Sequence, residues 1–127
     1  MSVIFKRVFP YQKDALSLPV ANVDEASLYY VKFFGFIIKE RSDSPLKSMT
    51  LERDSIRIGL AENGGDSTQD GCFFEVDSIE EMASELKESG LVFEPTYRID
   101  KYGETSYKVF FVVAPDGLCF CFGERQN

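Results

Sequence analysis

The C-terminal stretch from Tyr107 to Glu124 constrains the fold more than any other part of the chain. It consists of two β-branched and aromatic runs separated by Ala114-Pro115-Asp116-Gly117, a spacing that predicts a β-hairpin. Pro115 presets the first corner of a type I turn, Asp116 suits the second, and Gly117 supplies a positive φ. The turn sets the register, with Ala114 opposite Leu118, Val113 opposite Cys119 and Phe111 opposite Cys121. One face then carries Tyr107, Val109, Phe111, Val113, Cys119 and Cys121. The other carries Phe110, Val112, Leu118, Phe120 and Phe122. Both faces are apolar, so both call for cover.

The rest of the chain supplies the covering elements, and supplies them twice. Asp14 to Val20 alternates like a half-buried strand, with Leu16, Leu18 and Val20 on one side and Ala15, Ser17 and Pro19 on the other. Asn22 with Glu25 forms a capping box, Val23, Ala26, Tyr30, Phe33 and Phe34 follow at helical spacing, and Gly35 offers a left-handed stop. Phe36 to Arg41 reads as a strand. Ser48 to Glu52 and Ser55 to Glu62 read as a hairpin about Arg53-Asp54, with Met49, Leu51, Ile56, Ile58 and Leu60 on one face and Ser48, Thr50, Arg57 and Gly59 on the other. After the turn-forming stretch Asn63 to Gly71 the pattern restarts. Cys72 to Val76 is a strand, Ser78 with Glu81 a second capping box, Ile79, Met82, Ala83 and Leu86 a helix face, and Gly90 its end. Leu91 to Glu94 and Tyr97 to Lys101 read as further strands before the hairpin.

The chain is thus an α+β protein of two βαβββ modules whose sheets form one curved, half-open barrel with helices outside. Its parts are an N-terminal extension (residues 1–13, with Val3 to Phe9 an added edge strand), a first module (14–62), a linker (63–71) and a second module (72–124).

Composition removes several kinds of chemistry. With no histidine in the chain, Ser-His-Asp and Cys-His nucleophilic sites and histidine-ligated zinc are excluded. A formal charge of −7 with scattered basic residues argues against a nucleic-acid surface. Apolar runs are too short to span a bilayer and no signal peptide is visible, which implies a cytoplasmic protein. Three cysteines in such a protein read as thiols rather than disulfides.

The motifs Leu18 to Ala26 (LPVANVDEA), Tyr29-Tyr30 before Phe34-Gly35-Phe36, and the closing Ala-Pro-Asp-Gly turn with its Phe-Cys-Phe strand resemble the vicinal oxygen chelate superfamily. That superfamily includes glyoxalase I, extradiol dioxygenases and bleomycin-resistance proteins, and the resemblance covers residues 14–124. Its metal-using members hold an ion at positions that fall here on Ala15, Gly59, Gly71 and Cys121. Three of these lack a ligating side chain, so the resemblance implies the metal-free, bleomycin-resistance-like branch, with no cofactor, acting as a homodimer on a small organic molecule. Whether the modules pair within one subunit or are exchanged between two stays open in this family.

Residues in phase with the vacant metal positions define the expected inner surface: Ser17, Ser48, Thr50 and Arg57 from the first half, and Phe73, Glu75, Tyr107, Val109, Phe111, Cys119 and Cys121 from the second. Aromatic walls with a few polar groups suit an aromatic or anionic ligand. Arg57 is a candidate for holding a carboxylate, or else it pairs with Glu75 or Glu52. Cys119 and Cys121 point the same way but have no neighbour that would lower a thiol pKa, so they read as inert. Glu75 in an apolar surround is the candidate general base of a metal-free enzyme, with Tyr107 as its acid partner. A third reading makes the aromatic surface a protein-interaction face.

Overall fold

The structure, a computed structural model, describes residues 3–10, 15–68 and 70–126. The terminal hairpin forms with the register its turn dictates. Strands β8 (Thr105–Val113) and β9 (Cys119–Arg125) pair with Val113 opposite Cys119 and Phe111 opposite Cys121. Gly117 adopts φ 105°, and the Leu118 N–H donates to Asp116 Oδ1 at 3.0 Å.

Both helices start on the expected caps. Asn22 accepts the Glu25 N–H at 3.0 Å to open α1 (Val23–Phe34), and Ser78 accepts the Glu81 N–H at 3.3 Å to open α2 (Ile79–Glu88). Gly35 ends α1 in the left-handed region at φ 71°, and a Cβ there would lie 2.5 Å from the Arg53 guanidinium. Glycine is needed at that position for both reasons.

The strands β1 (Phe5–Pro10), β6 (Asp70–Val76) and β7 (Arg98–Tyr102) join β8 and β9 in a five-stranded sheet of order β1-β6-β9-β8-β7. Strands β2 (Leu18–Pro19), β3 (Ile37–Ser42), β4 (Ser48–Arg53) and β5 (Ile56–Ala61) form a second sheet of order β2-β5-β4-β3. Without β1 the two orders are the same, and in each the first and last strands of the module run parallel. The duplication read from sequence is therefore a duplication of topology. The N-terminal extension supplies the extra strand, laid antiparallel on β6.

One core joins both modules. It contains Tyr30 and Phe34 of α1, Met82 and Leu86 of α2, Leu51, Ile58 and Leu60 of the four-stranded sheet, and Phe74, Phe110, Phe120 and Phe122 of the five-stranded one. Phe34 meets Phe120 and Phe122 edge-on at centroid distances of 5.4 and 5.1 Å, a favoured geometry for aromatic pairs. The helices expected outside a barrel therefore pack into the layer shared by the two unclosed sheets. Each sheet turns its other face away from that core. Arg53 ties the layers together. Its guanidinium donates to the carbonyls of Phe34 (2.8 Å) and Val3 (2.7 Å), pairs with Glu85, and lies over the Phe5 ring.

Two sequence expectations are corrected. Leu91 to Glu94 is not a strand: Leu91 and Phe93 lean on the core while Val92 is 97% exposed. An extended segment without a ladder partner satisfies that alternation as well as a strand does. The first strand of module one, expected over Asp14 to Val20, shrinks to Leu18–Pro19, and Asp14 lies outside the described residues. Pro19 has no N–H to offer a ladder. The Ala15 carbonyl instead accepts the Gly59 N–H at 2.8 Å, Ala15 packs on the core, and Leu16 is 53% exposed.

Candidate functional site

The face of the five-stranded sheet that points away from the helices holds a second, smaller apolar cluster of Phe73, Tyr107, Val109 and Cys121. Strand alternation explains its membership, since these residues lie in the opposite phase to the core residues Phe74, Phe110 and Phe122. The register of β1 against β6 then sets Phe9 opposite Phe73 and Arg7 opposite Glu75, with an irregularity between Phe5 and Arg7. Lys6 and Arg7 consequently both reach the Glu75 carboxylate, at 3.7 and 4.0 Å.

Phe9, Pro10, Phe73, Tyr102 and Tyr107 line a cavity of about 270 Å³ on this face. Phe73 is its centre. Its ring lies 5.0 Å from Tyr107, 6.1 Å from Tyr102 and 6.0 Å from Phe9. Tyr102 and Tyr107 are themselves 5.8 Å apart. Gly123 makes room for this arrangement, because a Cβ there would stand 2.6 Å from the Phe73 ring. Beside the cavity the Tyr107 hydroxyl contacts Glu75 Oε1 at 3.4 Å, and Glu75 is 2% exposed. Burial, followed by the Glu75 charge, raises the Tyr107 phenol above the ordinary tyrosine range.

Of the residues expected from sequence, the structure brings together Phe73, Glu75, Tyr107, Val109 and Cys121. Phe111 and Cys119 share their face further along the hairpin, where Arg98 lies over the Phe111 ring at 4.7 Å. Thr50 and Arg57 belong to the four-stranded sheet, on the side away from the shared core, and Ser17 immediately precedes its strand β2; none of the three joins this cavity within one chain. Arg57 is exposed and donates to Glu52 at 2.9 Å, while Ser17 is exposed and Thr50 half-buried. Phe9, Pro10 and Tyr102 escaped the sequence reading. The alternation of Val3 to Phe9 was the available signal, but only pairing with β6 shows that Phe9 adjoins Phe73.

The positions at which the family's metal would sit have little to offer a cation. Ala15 faces the core, and a Cβ on Gly59 would meet the Leu16 carbonyl at 2.1 Å. One on Gly71 would point at the Phe120 ring at 2.7 Å, so only the Cys121 thiol remains. Among the described residues no three His, Cys, Asp or Glu side chains converge as a metal site. Burial pushes the Cys72 thiol up to about 12 and, with the Asp70 charge, also raises Cys119, which is unfavourable for thiolate chemistry. A larger open depression of about 880 Å³ lies between α2 and the β4–β5 turn. Its central cation, Arg53, is already committed to Glu85 and two carbonyls.

Comparison with known proteins identifies the family and the fold. The glyoxalase/bleomycin resistance protein/dioxygenase superfamily matches over residues 13–122. The bleomycin resistance determinant encoded on transposon Tn5 has a similar structure, with a TM-score of 0.62, 19% identity, and coverage of 89% of this chain and 97% of that one. TnmS3, an antibiotic binding protein from Streptomyces sp. CB03234, gives a TM-score of 0.61 at 17% identity, covering 91% and 97%. A superfamily member from Sphaerobacter thermophilus DSM 20745 gives 0.64 at 18% identity, covering 89% and 96%. No curated protein matches.

Proposed function

The chain belongs to the glyoxalase/bleomycin resistance protein/dioxygenase superfamily, and from that premise we propose that it is a metal-independent protein that binds a small organic molecule. The observation that carries this reading is the aromatic cavity bounded by Phe9, Phe73, Tyr102 and Tyr107. Concave apolar sites with a few polar groups are where small ligands bind. Glycines and a core-facing alanine at three of the four family metal positions favour the metal-free branch, since a divalent ion needs several converging donors. Antibiotic-binding structures share the fold, which makes sequestration of such a compound the reading we favour.

The protein works as a homodimer on this proposal. Phe9, Tyr102, Phe111 and Val113 leave apolar surface exposed on one outer face, and Ile37, which stands opposite Glu52, does so on the four-stranded sheet. These faces point away from each other within one chain, so a second copy is what would set Ser17, Thr50 and Arg57 opposite the aromatic cavity. No described helix is long and apolar enough to cross a membrane; a cytoplasmic location and the absence of a nucleic-acid partner remain part of the proposal.

Native mass spectrometry with metal analysis of the same sample tests the reading directly. A dimer free of metal that carries an extra organic mass is the expected result. Stoichiometric metal would overturn it. A dimer that takes up no small molecule would move the aromatic face to the protein-interaction reading.

The contact between Tyr107 and Glu75 favours a second reading, a metal-free lyase or isomerase with Glu75 as general base and Tyr107 as acid partner. Under it Glu75→Gln abolishes turnover of a compound that still binds. Retained turnover removes Glu75 from that role.

A further inference from the structure

Charge is distributed around the aromatic cavity against the trend of the whole chain. The protein carries a formal charge of −7, yet the groups that flank Phe73 and Tyr107 are mainly basic. Lys6 and Arg7 come from β1, where the irregular pairing sends both toward the same carboxylate. Arg125 stands directly opposite Tyr107 across the β8–β9 ladder and so shares its face. Asp100 stands opposite Tyr107 on its other side but is already held by Arg98 at 2.8 Å. Lys101 and Glu104, near the β7–β8 tip, are of opposite sign. This leaves Lys6, Arg7 and Arg125 against the single carboxylate of Glu75.

The three cations are poorly occupied. Lys6 and Arg7 share Glu75 at 3.7 and 4.0 Å, beyond hydrogen-bonding distance, and their side chains are 49% and 58% exposed. Arg125 makes no ion pair among the described residues and is exposed. Arg7 and Arg125 both act on the Tyr107 phenol in the lowering direction, opposing the larger effect of burial, so their charges reach the cavity wall. A ring stacked among Phe9, Phe73, Tyr102 and Tyr107 would carry an acidic substituent on the sheet face that Arg7 shares with Phe9 and Glu75, and Arg125 with Tyr107. An aromatic box alone also suits an alkylammonium. Here the excess of cations and the engagement of Glu75 by Tyr107, Lys6 and Arg7 count against one.

Resting on the small-molecule reading, we infer that the ligand is a small aromatic acid whose ring fills the Phe9, Phe73, Tyr102 and Tyr107 cavity and whose anionic group is held at the Lys6, Arg7 and Arg125 rim. The cavity, at about 270 Å³, is at the lower end of the roughly 300–1,000 Å³ of drug-sized sites, which limits the ring to about the size of naphthalene.

Isothermal titration of the full chain with 2-naphthoate, 2-naphthalenemethanol and 2-naphthylmethylammonium separates the terms. We expect naphthoate to bind about tenfold more tightly than the alcohol, as a charge-assisted contact supports. We also expect the advantage to shrink with added salt and to fall toward the alcohol's affinity in Arg7→Gln. Arg125→Gln should lower it as well, and because Arg125 makes no ion pair with Glu75 this second variant remains informative if Arg7→Gln unsettles the fold. Equal binding of all three compounds, or tighter binding of the ammonium, overturns the acid assignment while the binding cavity stands. An unchanged naphthoate preference in both variants overturns the rim. If none of the three binds, the cavity reading falls with it.

Discussion

The two faces of the terminal hairpin are close to equal in apolar content and opposite in fate. On the inner face, Phe110, Phe120 and Phe122 are fully buried beneath the helices. On the outer face, Tyr107 and Val109 are buried, but Phe111 is 39% and Val113 63% exposed. Hydrophobicity therefore does not decide which face becomes core; the helices' apolar stripes do. What remains on the other side is an aromatic surface with a carboxylate and a cationic rim. On the proposed function, the same pair of strands serves stability with one set of residues and recognition with the next.

The sharpest way to break that comparison is to remove one ring from each face. Phe120→Ala should cost about 3–5 kcal/mol, the range for emptying a packed aromatic site, because Phe120 touches Tyr30, Phe34 and Phe74. Phe111→Ala should cost less than about 1 kcal/mol, since a partly exposed ring loses much less buried area. Urea denaturation of both variants measures the difference, and similar losses would show that the outer face is also core.

Charges sharpen the same contrast. Arg53 has a side-chain exposure of 9% and joins α1, α2 and the N-terminal segment. Arg53→Ala should cost about 2–4 kcal/mol, because it removes the countercharge of Glu85 and leaves the Phe34 and Val3 carbonyls without this donor. Arg7→Ala on the rim should change the urea midpoint little and affect ligand binding instead.

Gly123→Ala probes the boundary between the faces. A methyl group there meets the Phe73 and Val109 side chains, so it should displace the Phe73 ring and weaken ligand binding several-fold, with a loss of about 1–3 kcal/mol from overpacking. Binding and denaturation of the same variant read both effects.

The smallest effect expected is on alkaline stability. Tyr30 is buried and its hydroxyl donates to Asp116 at 2.9 Å. Burial, then the Asp116 charge, raises its phenol well above the ordinary value of 10.0. A raised folded-state value means that the native protein holds this proton more tightly than the unfolded chain. The contribution is thus fully present below pH 10 and is lost as pH rises toward the folded value. Tyr30→Phe should flatten the fall in stability above pH 10, as read from denaturation midpoints across that range.

Much of this was legible without coordinates wherever the signal was local. Caps at Asn22 and Ser78, the turn at Asp116-Gly117 and the alternation of β4, β5, β8 and β9 each depend on residues a few positions apart. The buried set Met49, Leu51, Ile56, Ile58 and Leu60 follows from that alternation and is found buried. Leu91 to Glu94 defeated the same logic, because alternation reports which side is covered and does not report whether a neighbouring strand is present.

The sequence by itself determined the two modules, their helices and strands, the pairing of the last hairpin and the absence of imidazole chemistry, since these are matters of composition and short-range periodicity. Only the tertiary structure decided which apolar face the helices cover. It also laid the β1 strand on β6, bringing Phe9 to Phe73 and Arg7 to Glu75, and it separated Thr50 and Arg57 from the aromatic cavity. The physical reason is that a strand's pattern fixes its two faces but carries no information about which distant segment pairs with its edge. That choice is settled by the packing of the whole chain.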